Sequence, residues 1–426
     1  MATAVRYVLV SMLAALGFAA APALAADPDP DDAALSLDSA PVQAPQTGRE
    51  SRLFGEGAIG IGDGRDGVGS RFLRRISMDF SHTASIAPGW RAVLSDRIDA
   101  IKPNDFGADT VTNSLREAYV SWQPDGGSTV IDVGRVNLRY GPGYGYNPTD
   151  FFRDGALRSV TSLDPLTLRE NRLGTVVVRG QRLWSSGSLS VAFSPKLENG
   201  ASRNGLSLDL GATNNRDRGL LVLSSQPSER LSGQALVYKE SGRQVQFGAS
   251  ATALVSDAVV AYVEGARGRE PDLLARTTAA PGAQPTRNRL VAGLTFTSAG
   301  KLSLTGEYQY NGFALADADF EALGRSSPPL QNAYVLTALQ RQDLASRRAW
   351  LVYATQKSLG LKNLDLTALV RFNAGDHSRL GWVELRHHWE RFDLALRLQQ
   401  QGGGDDTEYG KIPDRRSAQL VASYFF

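Results

Sequence analysis

The densest collection of chemically capable side chains is one stretch, Gly134-Arg135-Val136-Asn137-Leu138-Arg139-Tyr140-Gly141-Pro142-Gly143-Tyr144-Gly145-Tyr146-Asn147-Pro148-Thr149-Asp150-Phe151-Phe152-Arg153. Arg158, Asp164, Arg169, Glu170 and Arg172 follow closely. Arginine forks grip carboxylates and phosphates through paired N–H donors. A connection longer than about 15 residues is usually functional or unstructured. This one mixes aromatics, glycines and opposite charges, so it reads as an ordered loop folded into an interior. Arg139, Tyr144, Asp150, Arg153 and Arg158 would then form a constriction that filters a solute. A second reading stays open: the same charges plug and brace the surrounding wall. Pro148 with Thr149-Asp150 suits a turn or a helix start. The glycine run is no phosphate-binding loop. It lacks the Gly-Lys-Ser/Thr ending and the strand–loop–helix setting.

Further arginines recur in alternating segments. Arg91, Arg97, Arg179, Arg371, Arg386 and Arg397 are expected on the polar face, with Arg97, Arg179, Arg371, Arg386 and Arg397 as candidate solute-binding groups. Asp79, Asp99, Glu117, Asp365, Glu384 and Asp393 share that face, so anion preference and internal pairing compete. Of the cations, 39 are Arg and 7 are Lys.

Enzyme chemistry has little material. The histidines are His82, His377, His387 and His388, and there is no cysteine. His387 and His388 would point to opposite faces of a strand, so they cannot share a metal ion. His387, beside Trp389, could serve a Ser–His pair on an outer face. No serine can be placed next to it. The expectation is no enzyme, no metal and no cofactor.

The elements that must position these groups are strands. Leu302, Leu304, Gly306, Tyr308 and Tyr310 alternate with Lys301, Ser303, Thr305, Glu307 and Gln309. Leu364 to Phe372, Phe392 to Leu398 and Ala418 to Phe426 alternate likewise. Segments of ~10 residues with this period, repeated along most of a chain, mark a transmembrane barrel. About eighteen such segments fit between Ser51 and Phe426. Connections after even-numbered strands are short, as at Gln123–Gly127 and Gln226–Glu229. Most after odd-numbered strands are long: 138–171, 195–217, 269–286, 312–345 and 402–414. A β-sandwich has no reason to alternate loop length. The fold expected is all-β: a single transmembrane antiparallel up-and-down β-barrel of about eighteen strands, with long extracellular loops and one infolded loop.

The start of the chain reads as export machinery. Arg6, the apolar run Val8–Ala21 and Ala23-Leu24-Ala25 form a signal peptide over 1–25. Residues 26–50, rich in Asp, Pro and Ala, lack apolar mass and read as a disordered periplasmic tail. The barrel occupies 51–426. The chain ends on Phe426, with Tyr424, Ala422, Leu420 and Ala418 at every second position before it. This resembles the terminal signal by which outer-membrane barrels reach their assembly machinery. Trp122, Trp184, Trp382, Trp389, Tyr238 and Phe313 fall near strand ends and suit interfacial girdles. The net charge of +2 does not point to nucleic acid in an exported chain.

The strand count, the arginine-rich lumen and the Gly-Arg…Tyr-Gly-Pro-Gly…Asn-Pro-Thr-Asp segment (134–150) resemble the alginate-export group of large outer-membrane barrels. The resemblance implies export or diffusion of an anionic polysaccharide or small anion through a Gram-negative outer membrane. Lipid and lipopolysaccharide would surround the barrel. Tail and C-terminus would face the periplasm. The functional expectation is a monomeric porin-like channel. The alternative is a non-conducting barrel that binds or assembles surface polysaccharide.

Overall fold

The computed structural model describes residues 49–65, 69–102, 111–124, 126–280 and 283–426. The expected signal peptide and most of the expected tail fall in 1–48, outside the described residues. The first strand, β1 (Arg49–Gly64), begins inside the stretch assigned to the tail, which corrects the tail's end.

Eighteen strands form one sheet, from β1 to β18 (Asp414–Phe425). Chain neighbours pair antiparallel, and β18 returns to β1, from Phe54↔Phe425 to Gly64↔Asp414. The sheet is therefore a closed barrel. Closure removes the unpaired edges that lipid cannot solvate.

The alternation read from the sequence sorts the two faces. In β13 (Leu302–Asn311), Leu304 is 44% exposed on the outer wall, whereas Glu307 is 1% exposed inside. Apolar residues outside and charged ones inside is the inversion that a lipid solvent demands. β15 (Leu364–Asn373), β17 (Phe392–Gly402) and β18 keep the registers expected of them.

Short turns gather at one rim and long connections at the other. The long ones are 137–174, 195–217, 270–285, 312–347 and 403–413. Two connections on the same rim, 241–245 and 374–378, are short. At the short-turn rim, Trp90 stacks on Trp122 at 5.6 Å, and Trp184 and Trp389 are exposed. Trp382, Tyr238 and Phe313 are not girdle residues: each is buried inside. Trp382 has the inward parity of Glu384 in β16 (Arg379–His388). Tyr238 has that of Leu236 in β9 (Leu231–Glu240). Phe313 lies in loop 312–347, under the Arg289 guanidinium at 4.4 Å.

One strand changes parity midway. Between β3 (Trp90–Lys102) and β4 (Val111–Trp122), Ser95 pairs with Glu117 but Asp96 pairs with Leu115. Arg116 is thus the extra residue of a bulge, and it is buried. Bulges re-aim side chains in this way. Strict alternation finds Glu117 and misses Arg116.

An infolded loop and an arginine-lined recess as candidate functional site

Loop 137–174 leaves β5 (Thr129–Val136) and re-enters the sheet at β6 (Thr175–Trp184). Between them it crosses the lumen. Its near side is apolar: Leu138, Tyr140 and Phe152 pack on Leu220 and Val222 of β8 (Arg218–Ser228) and on Leu236 and Tyr238 of β9. Phe151 stacks on Tyr238 at 4.7 Å, nearly parallel.

Its far side is held by hydrogen bonds to the opposite wall. Glu264 of β11 (Val259–Arg269) accepts from Gly143 N at 3.2 Å, Thr149 N at 2.7 Å and Thr149 Oγ1 at 2.8 Å. Glu307 accepts from Tyr144 N, from Gly145 N at 2.9 Å and from Tyr262 Oη at 2.8 Å. This explains the glycine run. Gly141 has φ +87°, and a Cβ there would sit 2.3 Å from the Glu264 carboxyl. At Gly145 a Cβ would meet Gln309 Nε2 at 2.5 Å. Only glycine lets the backbone N–H groups reach these two carboxylates.

The loop is locked at three further points. Tyr353 of β14 (Arg348–Gln356) donates to Asp164 Oδ1 at 3.0 Å. Asp164 also caps helix α1 (Pro165–Glu170), accepting from Leu166 N and Thr167 N. The helix therefore starts at Pro165, and Pro148 makes a turn instead. Loop 312–347 supplies the third lock. Asp343 receives Tyr146 Oη at 3.1 Å and Arg153 Nη2 at 2.5 Å, while Arg341 pairs with Asp154 at 2.6 Å. Burial alone would raise the Asp343 carboxyl. Arg289, Arg153 and Arg341 instead hold it well below the usual carboxylate range.

The arginines and other residues singled out in the sequence take distinct places. Arg139 is exposed. Tyr144 sits between Tyr262 and Tyr353, with ring centroids at 6.4 and 5.5 Å. Asp150 is buried against Arg172 at 2.7 Å. Arg158 does not reach the constriction. It binds Asp209 at 3.2 Å and the carbonyls of Asn113, Ser207 and Asn204, fastening loop 195–217 to β4. That loop fills the gap beyond the β4–β5 ladder, which ends at Ala118↔Arg135.

The inward strand arginines point inside as expected, and Arg97, Arg179, Arg371, Arg386 and Arg397 are each engaged. Arg97 bridges Glu56 at 2.9 Å, Asp79 at 3.3 Å and Asp99 at 2.9 Å. Arg179 pairs with Asp132 at 2.5 Å. Arg386 pairs with Glu384 at 2.9 Å and Asp393 at 3.4 Å. Arg371 donates to Gly145 O at 2.6 Å. Arg397 donates to Thr161 O at 2.7 Å and pairs with Glu384. These two grip the infolded loop. Arg91 faces the interior rim opposite Ser121.

The recess beside the loop is one that sequence reasoning did not find. Arg153, Arg216, Arg218, Arg243, Arg289 and Arg341 line it. Four carboxylates, Asp150, Asp154, Glu240 and Glu270, also line it, so six cations face four anions. Glu270 collects Arg243 at 3.2 Å together with Arg276 and Arg289. Burial raises its carboxyl, but Arg289, Arg341 and Arg276 bring it down to about 2. Arg218 differs. It is 5% exposed and lies 4.7 Å over the Phe152 ring, and its Nε and Nη2 have no acceptor among the described residues. No periodic signal marks it: Leu220-Leu221-Val222-Leu223 is apolar on both faces.

A Ser–His contact does occur, away from His387. Ser51 Oγ lies 2.7 Å from His82 Nδ1 at the β1–β2 (Arg71–Ala87) ladder. His387 packs on Trp389 at 4.1 Å. Among the described residues no three His, Cys, Asp or Glu are placed to hold a metal ion.

No family model matches the chain. No curated protein is similar to it in sequence. Solved structures share the fold. OccAB1 of Acinetobacter baumannii superposes with a TM-score of 0.57 at 11% identity, covering 91% of this chain and 99% of that one. OccAB4 of the same organism gives 0.56 at 9% identity, covering 91% and 100%. OpdL of Pseudomonas aeruginosa gives 0.54 at 12% identity, covering 89% and 98%. The fold is that of porin barrels of the Gram-negative outer membrane.

Proposed function

We propose that this barrel is a channel for small anionic solutes, which pass the infolded loop along the Arg218 recess. Arg218 carries the reading. A buried guanidinium with unused N–H donors is costly unless something pairs with it. A carboxylate or phosphate presents the two acceptors such a fork takes. The excess of arginines over carboxylates around it favours the same class of ligand. The porin-type barrel supports passage rather than catalysis.

The resemblance to alginate-export barrels extends the reading to an anionic polysaccharide, whose repeated carboxylates are the same chemistry in polymeric form. One observation favours the non-conducting alternative: the loop is tied to the far wall at Glu264, Glu307, Arg371 and Arg397. In either case the long-loop rim faces outward.

Planar-bilayer recording decides between the two. Refolded protein in a potassium chloride gradient gives steady single-channel steps with an anion-shifted reversal potential if the recess conducts. Silent, correctly folded protein would remove the channel reading and leave the plugged barrel.

A further inference from the structure

The outer wall also carries charge, at one height. Strand pairing fixes a lattice of outward side chains on β9, β10 (Gln246–Ser256), β11 and β12 (Thr286–Thr297). Their outward residues are apolar through most of the wall: Ala235 and Val237, Ala249 and Phe247, Val263, then Leu294 and Leu290. Phe247 and Val263 are 57% and 49% exposed, as lipid-facing residues are. The pattern then breaks on β9 and β11 together. Lys239, Arg267 and Arg269 are the next outward residues, all exposed. The register places Phe247 opposite both Val237 and Arg267. Lys239 and Arg269 therefore lie one step beyond it, on either side of β10, toward the long-loop rim.

No outward position of β9 to β12 is acidic. Among the described residues Lys239, Arg267 and Arg269 form no ion pair. Their contacts are neutral: Lys239 to Arg243 O, Arg267 to Asn288 Oδ1 at 3.4 Å, and Arg269 to Gln284 O at 2.7 Å. Asp217, which leads into β8 beside β9, accepts from Lys196 N at 2.8 Å.

We infer that this patch is a binding site for the phosphate headgroup of an anionic lipid in the membrane's outer leaflet. The occupant must be an amphiphile. Phe247, Val237 and Leu290 lie below the cations and offer a surface for acyl chains, while the three cations sit where a headgroup phosphate would lie. A free phosphate has no use for the apolar half. Charge near a membrane surface is a recognised basis for such selectivity. Arg348 on β14, already paired with Asp317, lies outside the site.

The test is native mass spectrometry of the whole refolded protein in detergent. The probes are diphosphorylated lipid A, its dephosphorylated form, and inorganic phosphate. The variant is Lys239→Ala/Arg267→Ala/Arg269→Ala, which alters only outward side chains. Wild type should retain lipid A adducts, and the triple variant should bind about a hundredfold more weakly, from the usual contribution of each surface cation. The dephosphorylated lipid should bind wild type and variant equally weakly. Equal lipid A binding by wild type and variant would overturn the proposal. So would wild-type retention of inorganic phosphate, abolished by the triple substitution, without preference for lipid A. Thermal unfolding of the variant in the same detergent, matching wild type, ties the loss of adducts to the site rather than to the fold.

Discussion

At the scale of single residues, the infolded loop depends on two lumen carboxylates and the glycines that approach them. Gly141→Ala adds a Cβ at 2.3 Å from the Glu264 carboxyl, in a left-handed backbone conformation. The substitution should cost about 1–3 kcal/mol. Urea unfolding of the refolded barrel should show the lower midpoint. An unchanged midpoint would mean that Glu264 does not grip the loop. A second residue sets a pH dependence. Glu408, in loop 403–413, accepts from Asn373 Nδ2 at 2.8 Å. Burial pushes its carboxyl up to about 7, Arg371 lowers it and Asp376 raises it. A carboxyl raised on folding favours the protonated folded state, so its ionisation weakens local packing as pH rises from 4.5 toward 7. At pH 8, Glu408→Gln should slow tryptic cleavage after Lys411. At pH 5.5, where Glu408 is already protonated, the difference from wild type should vanish. Equal cleavage at both values would contradict the shift. Neither site was legible in the sequence. The glycines stood out, but their partners lie more than a hundred residues away on another wall.

At the scale of elements, periodicity carried far. Eighteen strands, the alternation of short and long connections, and the entry of the 137–174 loop were all readable from apolar residues at every second position. Two misses share a cause: local departures from period two. The bulge at Arg116 shifts parity within one strand. The apolar run 220–223 hides which side Arg218 takes. Trp382 keeps period two: closeness to a strand end suggests a girdle, but its parity with Glu384 sends it inside. The two long loops act as a unit because Asp343 joins them. Asp343→Asn keeps the shape and removes the charge that Arg153 and Arg341 share. It should leave the barrel folded and increase current fluctuations in bilayers, as the loop pair loosens. Fluctuations equal to wild type would show that the hydrogen bonds of Glu264 and Glu307 hold the loop unaided. Deleting 144–168 should raise conductance several-fold by widening the passage. Unchanged conductance would remove the loop from the path.

At the scale of the whole molecule, two charge distributions serve two solvents. Inside, arginines and carboxylates pair across the lumen, while Arg218 stays buried with Nε and Nη2 lacking an acceptor among the described residues. Outside, an apolar wall ends in a basic patch at the long-loop rim. The overall charge of +2 shows neither, because the paired charges cancel in the sum. The central claim is that anions pass the Arg218 recess. Its most direct test is the reversal potential of Arg218→Gln beside wild type, in the same potassium chloride gradient. The account predicts an anion-shifted potential for wild type that moves toward zero in the variant, with single-channel conductance changed less than selectivity. The same anion shift in both proteins would contradict it, and would place the selective step elsewhere in the lumen.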